Sequence, residues 1–208
     1  HRLTSMPMPT RQIGPFTVEL ITLTHSIPEP NAVVIRTPHG VVLHTGDWKL
    51  DPEPLVGETT DVAALRKLGD GGVLAMVCDS TNVFVSGTSG SEADVRDSLM
   101  DVVGRLRNRV AIGCFASNLA RVETIARVAA AHGRHCALVG RSLWRMLESA
   151  QENGYLTDLP KFITEHDVGY FPRENIVMIC TGSQGEPRSA LTRIARGEHP
   201  QVSLEAGD

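Results

Sequence analysis

A chain of 208 residues, 41% apolar and only 4% aromatic, has enough material for a sizeable core, built from aliphatic side chains rather than rings. Its formal net charge of −4 argues against a broadly basic nucleic-acid-binding surface but is compatible with a local basic cleft. No apolar run approaches the ~20 residues a membrane-spanning helix needs, and the opening HRLTSMPMPT contains no secretory apolar core, so no membrane partner is expected.

In chain order, PFTVELITLT and NAVVIRT read as strands, and a Pro38-His39-Gly40 turn joins the second of them to VVLHTGD as a hairpin. Residues 49–72 carry prolines, a short helix near Asp61–Leu68 and a Gly pair, and read as a junction between domains. From Val73 onward strands and helices alternate. VLAMVC precedes the helix SEADVRDSLMDVVGRLR, whose Val95, Leu99, Val102 and Leu106 share one face and whose Ser91 and Asp94 suit a capping box. RVAIGCF, HCALVG and NIVMIC are further strands. The helices NLARVETIARVAAAHG, SLWRMLESAQENG and EPRSALTRIARG follow them in turn, and VSL at 202–204 is expected to open another strand. Continuous apolar strands alternating with helices predict an α/β fold, a doubly wound parallel sheet covered on both faces.

The four cysteines lie inside strand-like runs without CxxC spacing. They read as buried free thiols in a reducing compartment, which makes a cytoplasmic location the expectation. The chain opens on His1 and stops at QVSLEAGD as a strand-like run begins, so we read it as a piece of a longer protein.

Open α/β sheets bind ligands beyond the carboxyl ends of their strands. Four such ends carry hydroxyls, amides or glycines: Asp79-Ser80-Thr81-Asn82, Phe115-Ala116-Ser117-Asn118, Gly140-Arg141-Ser142 and Thr181-Gly182-Ser183-Gln184. Small hydroxyls and free N–H groups at helix starts suit phosphate, with Arg121, Arg141 and Arg188 placed to neutralise it. Any one of these loops is more simply a helix cap. Four on one edge favour a phosphate-containing ligand, although none is a GxGxxG or a P-loop.

In the first half, His25 and Asp47 follow two strands and offer the imidazole and carboxylate that zinc or manganese prefers. Two residues do not complete a site that takes about four ligands. His44 suits packing or a supporting position, His39 an exposed turn, and His132, His135, His166 and His199 receive no role.

The segments THSIPEPNAVVIRTPHGVVLHTGDWK, CDSTN, FASNLARVETI and above all TGSQGEPRSALTRIA resemble the ribonuclease J family, the bacterial β-CASP branch of the metallo-β-lactamase-fold nucleases, from about residue 12 to the last. The resemblance implies part of a metallo-β-lactamase domain at 1–55, a junction at 56–72 and a β-CASP domain at 73–208. It implies two metal ions held by the metallo-β-lactamase domain, usually zinc with manganese or magnesium as alternatives, and RNA entering the cleft between the two domains. The implied reaction is metal-dependent hydrolysis of RNA, 5′→3′ from a 5′-monophosphate end with some endonuclease action. His25 and Asp47 match metal-binding motifs, Asp47 as the bridging carboxylate, and Asp79 matches the catalytic acidic motif of the β-CASP domain. Ser80, Thr81 and Asn82 are implied to hold substrate phosphate, and Ser117, Asn118, Arg141, Ser142, Thr181, Ser183 and Gln184 to line the same cleft. Homodimers or tetramers of the full-length protein are a further implication. The family's HxHxDH and downstream SGH-type motifs do not occur in these 208 residues, so the polypeptide alone is expected not to cleave RNA. A non-catalytic nucleotide- or RNA-binding module is the competing reading, and a related DNA-repair or mRNA 3′-end nuclease a third, which TGSQGEP disfavours.

Overall fold

The computed structural model describes residues 10–208; the first nine, where the search for a secretory signal fell, lie outside the described residues. Two compact units divide between Ser91 and Glu92.

The first unit is a five-stranded sheet in the order β1-β2-β3-β4-β5. Strands β1 (Thr10–Ile13) and β2 (Phe16–Thr22) form a hairpin in which Ile13 pairs with Phe16. The turn between them needs a left-handed residue, and Gly14 supplies it at φ 58. β1 was not foreseen, because TRQI has a single aliphatic residue and is exposed throughout. β3 (Asn31–Thr37) and β4 (Gly40–His44) make the expected hairpin, with Thr37 opposite Gly40. Helix α1 (Val62–Asp70) follows, its N-terminus capped by Asp61, whose carboxylate accepts the Ala64 N–H at 2.8 Å. Leu68 of α1 closes over Ile21, Leu23, Ala32, Val34 and Leu43, the buried face of the sheet.

The strand β5 (Ala75–Val77) corrects the sequence reading. VLAMVC was expected to open the second domain, and instead β5 pairs in parallel with β4, Leu43 opposite Met76. α1 is thus the crossover that parallel neighbours require. The division of the chain accordingly falls at 91/92 rather than within 56–72. A helix and a Gly pair look alike in sequence whether they join two domains or two strands of one sheet.

The second unit runs α2 (Glu92–Arg105), β6 (Val110–Gly113), α3 (Leu119–Ala131), β7 (His135–Val139), α4 (Arg141–Glu152), β8 (Ile163–Thr164), β9 (Ile176–Cys180) and α5 (Ala190–Ala195). Its four strands are all parallel, in the order β6-β9-β7-β8. Alternate residues of the central strands serve two cores. Cys136, Leu138, Val177 and Ile179 pack with residues of α2, α3 and α4. Ala137, Val139, Ile176, Met178 and Cys180 pack with Ala190 and Ile194 of α5. A sheet covered on both faces explains why its strands are apolar without alternation, and the α/β expectation is borne out.

Three details differ from expectation. Residues 202–204 form no strand, yet Val202 is buried in the second core. The EPRSALTRIARG helix shortens to six residues because Ser189 caps it, leaving Pro187 and Arg188 outside. Two-residue β8 is too short for any periodicity to reveal.

Candidate functional site

In the first unit β2 and β4 both run antiparallel to β3, and β5 runs parallel to β4. The carboxyl ends of β2, β4 and β5 therefore lie at one edge, followed by His25, Asp47 and Asp79 in turn. Threonines fasten these ends. The buried Thr24 forms a bridge with Lys49, donates its hydroxyl to the Lys49 carbonyl and accepts the Asp51 N–H at 3.0 Å. The buried Thr45 donates its N–H to the Val77 carbonyl at 3.0 Å and accepts the Asp79 N–H on its hydroxyl at 3.1 Å. His44 shapes the same turn by accepting the Gly46 N–H on Nδ1 at 3.0 Å.

His25 is half-buried, with Nδ1 3.0 Å from the Ser26 hydroxyl, and Asp47 is exposed. Asp79 turns its carboxylate back on its own loop, where Oδ1 accepts the Thr81 hydroxyl at 2.6 Å and the Thr81 N–H at 3.0 Å. The hydroxyl, then the N–H, hold the Asp79 carboxyl below the usual aspartate range; burial opposes them, and His25 adds a smaller pull downward. No helix follows Asp79 directly: Ser80, Thr81 and Asn82 lie in an exposed turn, with the Val83 N–H on the Ser80 carbonyl at 3.1 Å. Among the described residues no group of three or more His, Cys, Asp or Glu is arranged to hold a metal ion. His25 and Asp47 supply ligand types zinc accepts, but two donors do not make a zinc centre.

The second unit brings its strand-end loops together along the carboxyl edge of the parallel sheet. The Cys114 N–H bonds the Cys180 carbonyl at 2.9 Å, and the Thr181 N–H the Val139 carbonyl at 3.3 Å. The loops approach closely: a Cβ on Gly140 would sit 2.9 Å from the Thr181 side chain, and one on Gly113 3.2 Å from Ser183 Cα. Glycine is what permits both contacts.

Several groups expected to face phosphate are engaged internally. Asn118 caps α3, its Oδ1 accepting the Arg121 N–H at 3.0 Å. Arg121 donates two hydrogen bonds to Glu92, at 3.1 and 3.2 Å, and the Glu92 side chain is only 5% exposed. Thr181 ties β9 to α5, its hydroxyl accepting the Ala190 N–H at 3.1 Å and its carbonyl the Leu191 N–H at 2.9 Å. The Gln184 N–H donates to the Glu186 carboxylate at 3.1 Å. Ser117 is half-buried, whereas Arg141, Ser142, Ser183 and the Gln184 side chain are exposed. Arg188 lies before the helix rather than in its first turn.

Two residues at this edge were passed over in the sequence. Glu165 follows β8 directly and accepts the Gly140 N–H at 3.3 Å. His199 turns a buried imidazole toward it, Nε2 4.0 Å from the Glu165 carboxylate. Burial lowers the His199 pKa; Glu165 opposes this and Arg193 adds to it. Only the β8 register could have pointed to Glu165, and IT has no pattern to read.

A four-stranded parallel sheet with helices on both faces and polar loops at its carboxyl edge defines an α/β domain of the doubly wound kind. Residues 107–208 match the family described as "Ribonuclease J, beta-CASP domain". Ribonuclease J of Sinorhizobium meliloti is 47% identical over 196 residues, which is 94% of this chain and 35% of the relative. Ribonuclease J of Thermus thermophilus is 38% identical over 193 residues, and ribonuclease J2 of Bacillus subtilis 38% over 192. The resemblance to the ribonuclease J family carried by TGSQGEP and CDSTN is thus borne out, and the chain spans about a third of the length of these curated relatives. A solved structure titled "Crystal Structure of a Protein of Unknown Function from Enterococcus faecalis V583" shares the fold at TM-score 0.58 and 15% identity, over 86% of this chain and 44% of that one.

Proposed function

We propose that these 208 residues are part of a metal-dependent ribonuclease of the ribonuclease J type, acting in RNA processing and decay in the cytoplasm. What carries the reading is the similarity to ribonucleases J along 94% of the chain. The placement of His25, Asp47 and Asp79 at one sheet edge supports it. In this reading the first unit is metallo-β-lactamase-like and contributes His25 and Asp47 to a centre of two zinc ions, or of manganese or magnesium. Such a centre needs ligands beyond these two. Asp79, kept ionised by Thr81, acts as the acidic group of the site. Ser80, Thr81, Asn82, Ser117, Arg141, Ser142, Ser183 and Gln184 serve the RNA directly, and Asn118 and Thr181 serve it by holding the loops that carry them; the RNA is held by a 5′-monophosphate end and cut 5′→3′, with some internal cleavage. The full-length protein forms dimers or tetramers.

For the polypeptide by itself, the lack of any metal-holding group of three among the described residues favours a second description, an RNA- or nucleotide-binding module without catalysis. Incubating the purified 208-residue chain with 5′-monophosphorylated RNA and zinc or manganese tests both. Binding without cleavage is the expected result. Robust metal-dependent cleavage would overturn the module description, and no binding to any RNA would overturn the assignment of RNA contacts to this chain.

A further inference from the structure

Val83, Phe84 and Val85 follow the Asp79 loop of the first unit and stand 67%, 99% and 68% exposed. A single exposed apolar side chain is ordinary. A consecutive run of them, with an aromatic ring at its centre, is unfavourable in water unless something covers it.

The run is pinned to the loop before it. The Asp79 carboxylate holds Thr81 by its hydroxyl and N–H, the Val83 N–H bonds the Ser80 carbonyl at 3.1 Å, and the Val85 N–H bonds the Asn82 carbonyl at 2.9 Å. Two overlapping turns thus carry the chain from Ser80 to Val85, and Phe84 is the third residue of the second. A ring on so short and fastened a segment loses little freedom when a ligand covers it.

The surroundings of the tip select its occupant. A specific protein interface takes about 800 Å² from each partner, whereas one aromatic side chain supplies about 150–250 Å². Polar residues border the tip in the chain, Asp79 to Asn82 before it and Ser86 to Ser91 after it, so this loop does not widen it into a larger apolar surface. Between Ser80 and Ser91 no acidic side chain repels a phosphate and no basic one holds it. Attachment here falls to hydroxyls, amides and a ring. Single-stranded nucleic acid suits that set, because its bases offer apolar faces that stack on aromatic side chains whatever their sequence.

Resting on the RNA-binding reading of this chain, we propose that Phe84 is a stacking platform for a nucleobase of single-stranded RNA, beside the Ser80-Thr81-Asn82 turn that takes an adjoining phosphate. Phe84 is then a positioning residue, which sets the register of the strand against Asp79. It contributes affinity to any base and a modest preference for purines, whose larger faces stack more strongly.

The test titrates 5′-monophosphorylated hexa-adenylate, the matching hexa-uridylate and an abasic ribose-phosphate hexamer into the 208-residue chain and its variants. Phe84→Ala is expected to weaken hexa-adenylate binding about tenfold, and hexa-uridylate binding less. Phe84→Trp should bind at least as tightly as the parent, whereas Phe84→Leu, apolar but without a π-face, should resemble Phe84→Ala. The abasic hexamer should bind parent and Phe84→Ala alike. With the ring fully in solvent, Phe84→Ala should unfold in urea as the parent does. Parental affinity in Phe84→Ala or Phe84→Leu, an equal loss with the abasic hexamer, or a loss of stability in Phe84→Ala would each overturn the proposal. Self-association of the parent that Phe84→Ala abolishes, read by light scattering, would assign the tip to a second copy of the chain and overturn it too. RNA binding that persists undiminished in Phe84→Ala would sink only this proposal and leave the RNA-binding reading standing, whereas a parent chain that binds none of the probes would overturn both.

Discussion

The hydroxyl of Thr45, at the end of one strand, accepts the backbone N–H of Asp79, at the end of its parallel neighbour, at 3.1 Å. The same hydroxyl donates to the Gly46 carbonyl at 2.8 Å, so one buried side chain sets the Asp79 loop against the residue preceding Asp47. Thr45→Val keeps the shape and removes both bonds. It is expected to cost about 1–2 kcal/mol of stability, read in urea unfolding, with Thr45→Ser recovering most of it. Full stability in Thr45→Val would show that the pin contributes nothing.

The ion pair of Arg121 with Glu92 offers a second check, because it explains why Arg121 is unavailable to phosphate. Arg121→Ala leaves a carboxylate that is 5% exposed without its two guanidinium donors and is expected to destabilise the second unit by about 3 kcal/mol. A paired Glu92→Leu/Arg121→Met variant should recover much of that loss, because an apolar pair carries no desolvation penalty.

Asp79 should titrate below an ordinary aspartate in carboxyl NMR, and Thr81→Ala should bring it back up. The sign follows from the depressed folded value: the unfolded chain takes up the proton first. The contribution of Asp79 to stability is therefore present above the unfolded value and lost as pH falls through the folded one. A normal Asp79 midpoint would contradict the bonds to Thr81.

Thiol labelling at pH 8 should separate the cysteines. Burial pushes Cys114 up to about 11, and Cys136 and Cys180 up to about 12, and all three are enclosed. Cys78 is partly exposed. One fast-reacting thiol is expected in the native chain, with three more only on unfolding. Rapid labelling of Cys180 would mean that the central strand opens readily.

Much of the parallel-sheet unit was legible in its residues. VAIGC, HCALV and NIVMIC are apolar without alternation because each strand is covered on both sides, and the helices between them carry their own spacing. The place of VLAMVC was not legible. Its residues would satisfy either sheet, and hydrogen bonding to β4, Val42 opposite Ala75 and so beyond any local pattern, decides it. His25 and Asp47 stood out in sequence because an imidazole and a carboxylate at two strand ends are the ligand types that zinc or manganese prefers. Glu165 and His199 did not, since a lone carboxylate and a lone imidazole in loops look like solvated surface until the fold sets them at a helix start.

The sequence alone determined the α/β class, the hairpin at Pro38-His39, the apolar cores and the family resemblance, because periodicity, turn chemistry and motif spacing are local properties of the chain. Tertiary structure decided which sheet each strand joins, that Arg121 is committed to Glu92, and that Glu165 sits on the Gly140 N–H. Those outcomes depend on pairing across long stretches of chain, where hydrogen-bond partners are chosen by distance in space.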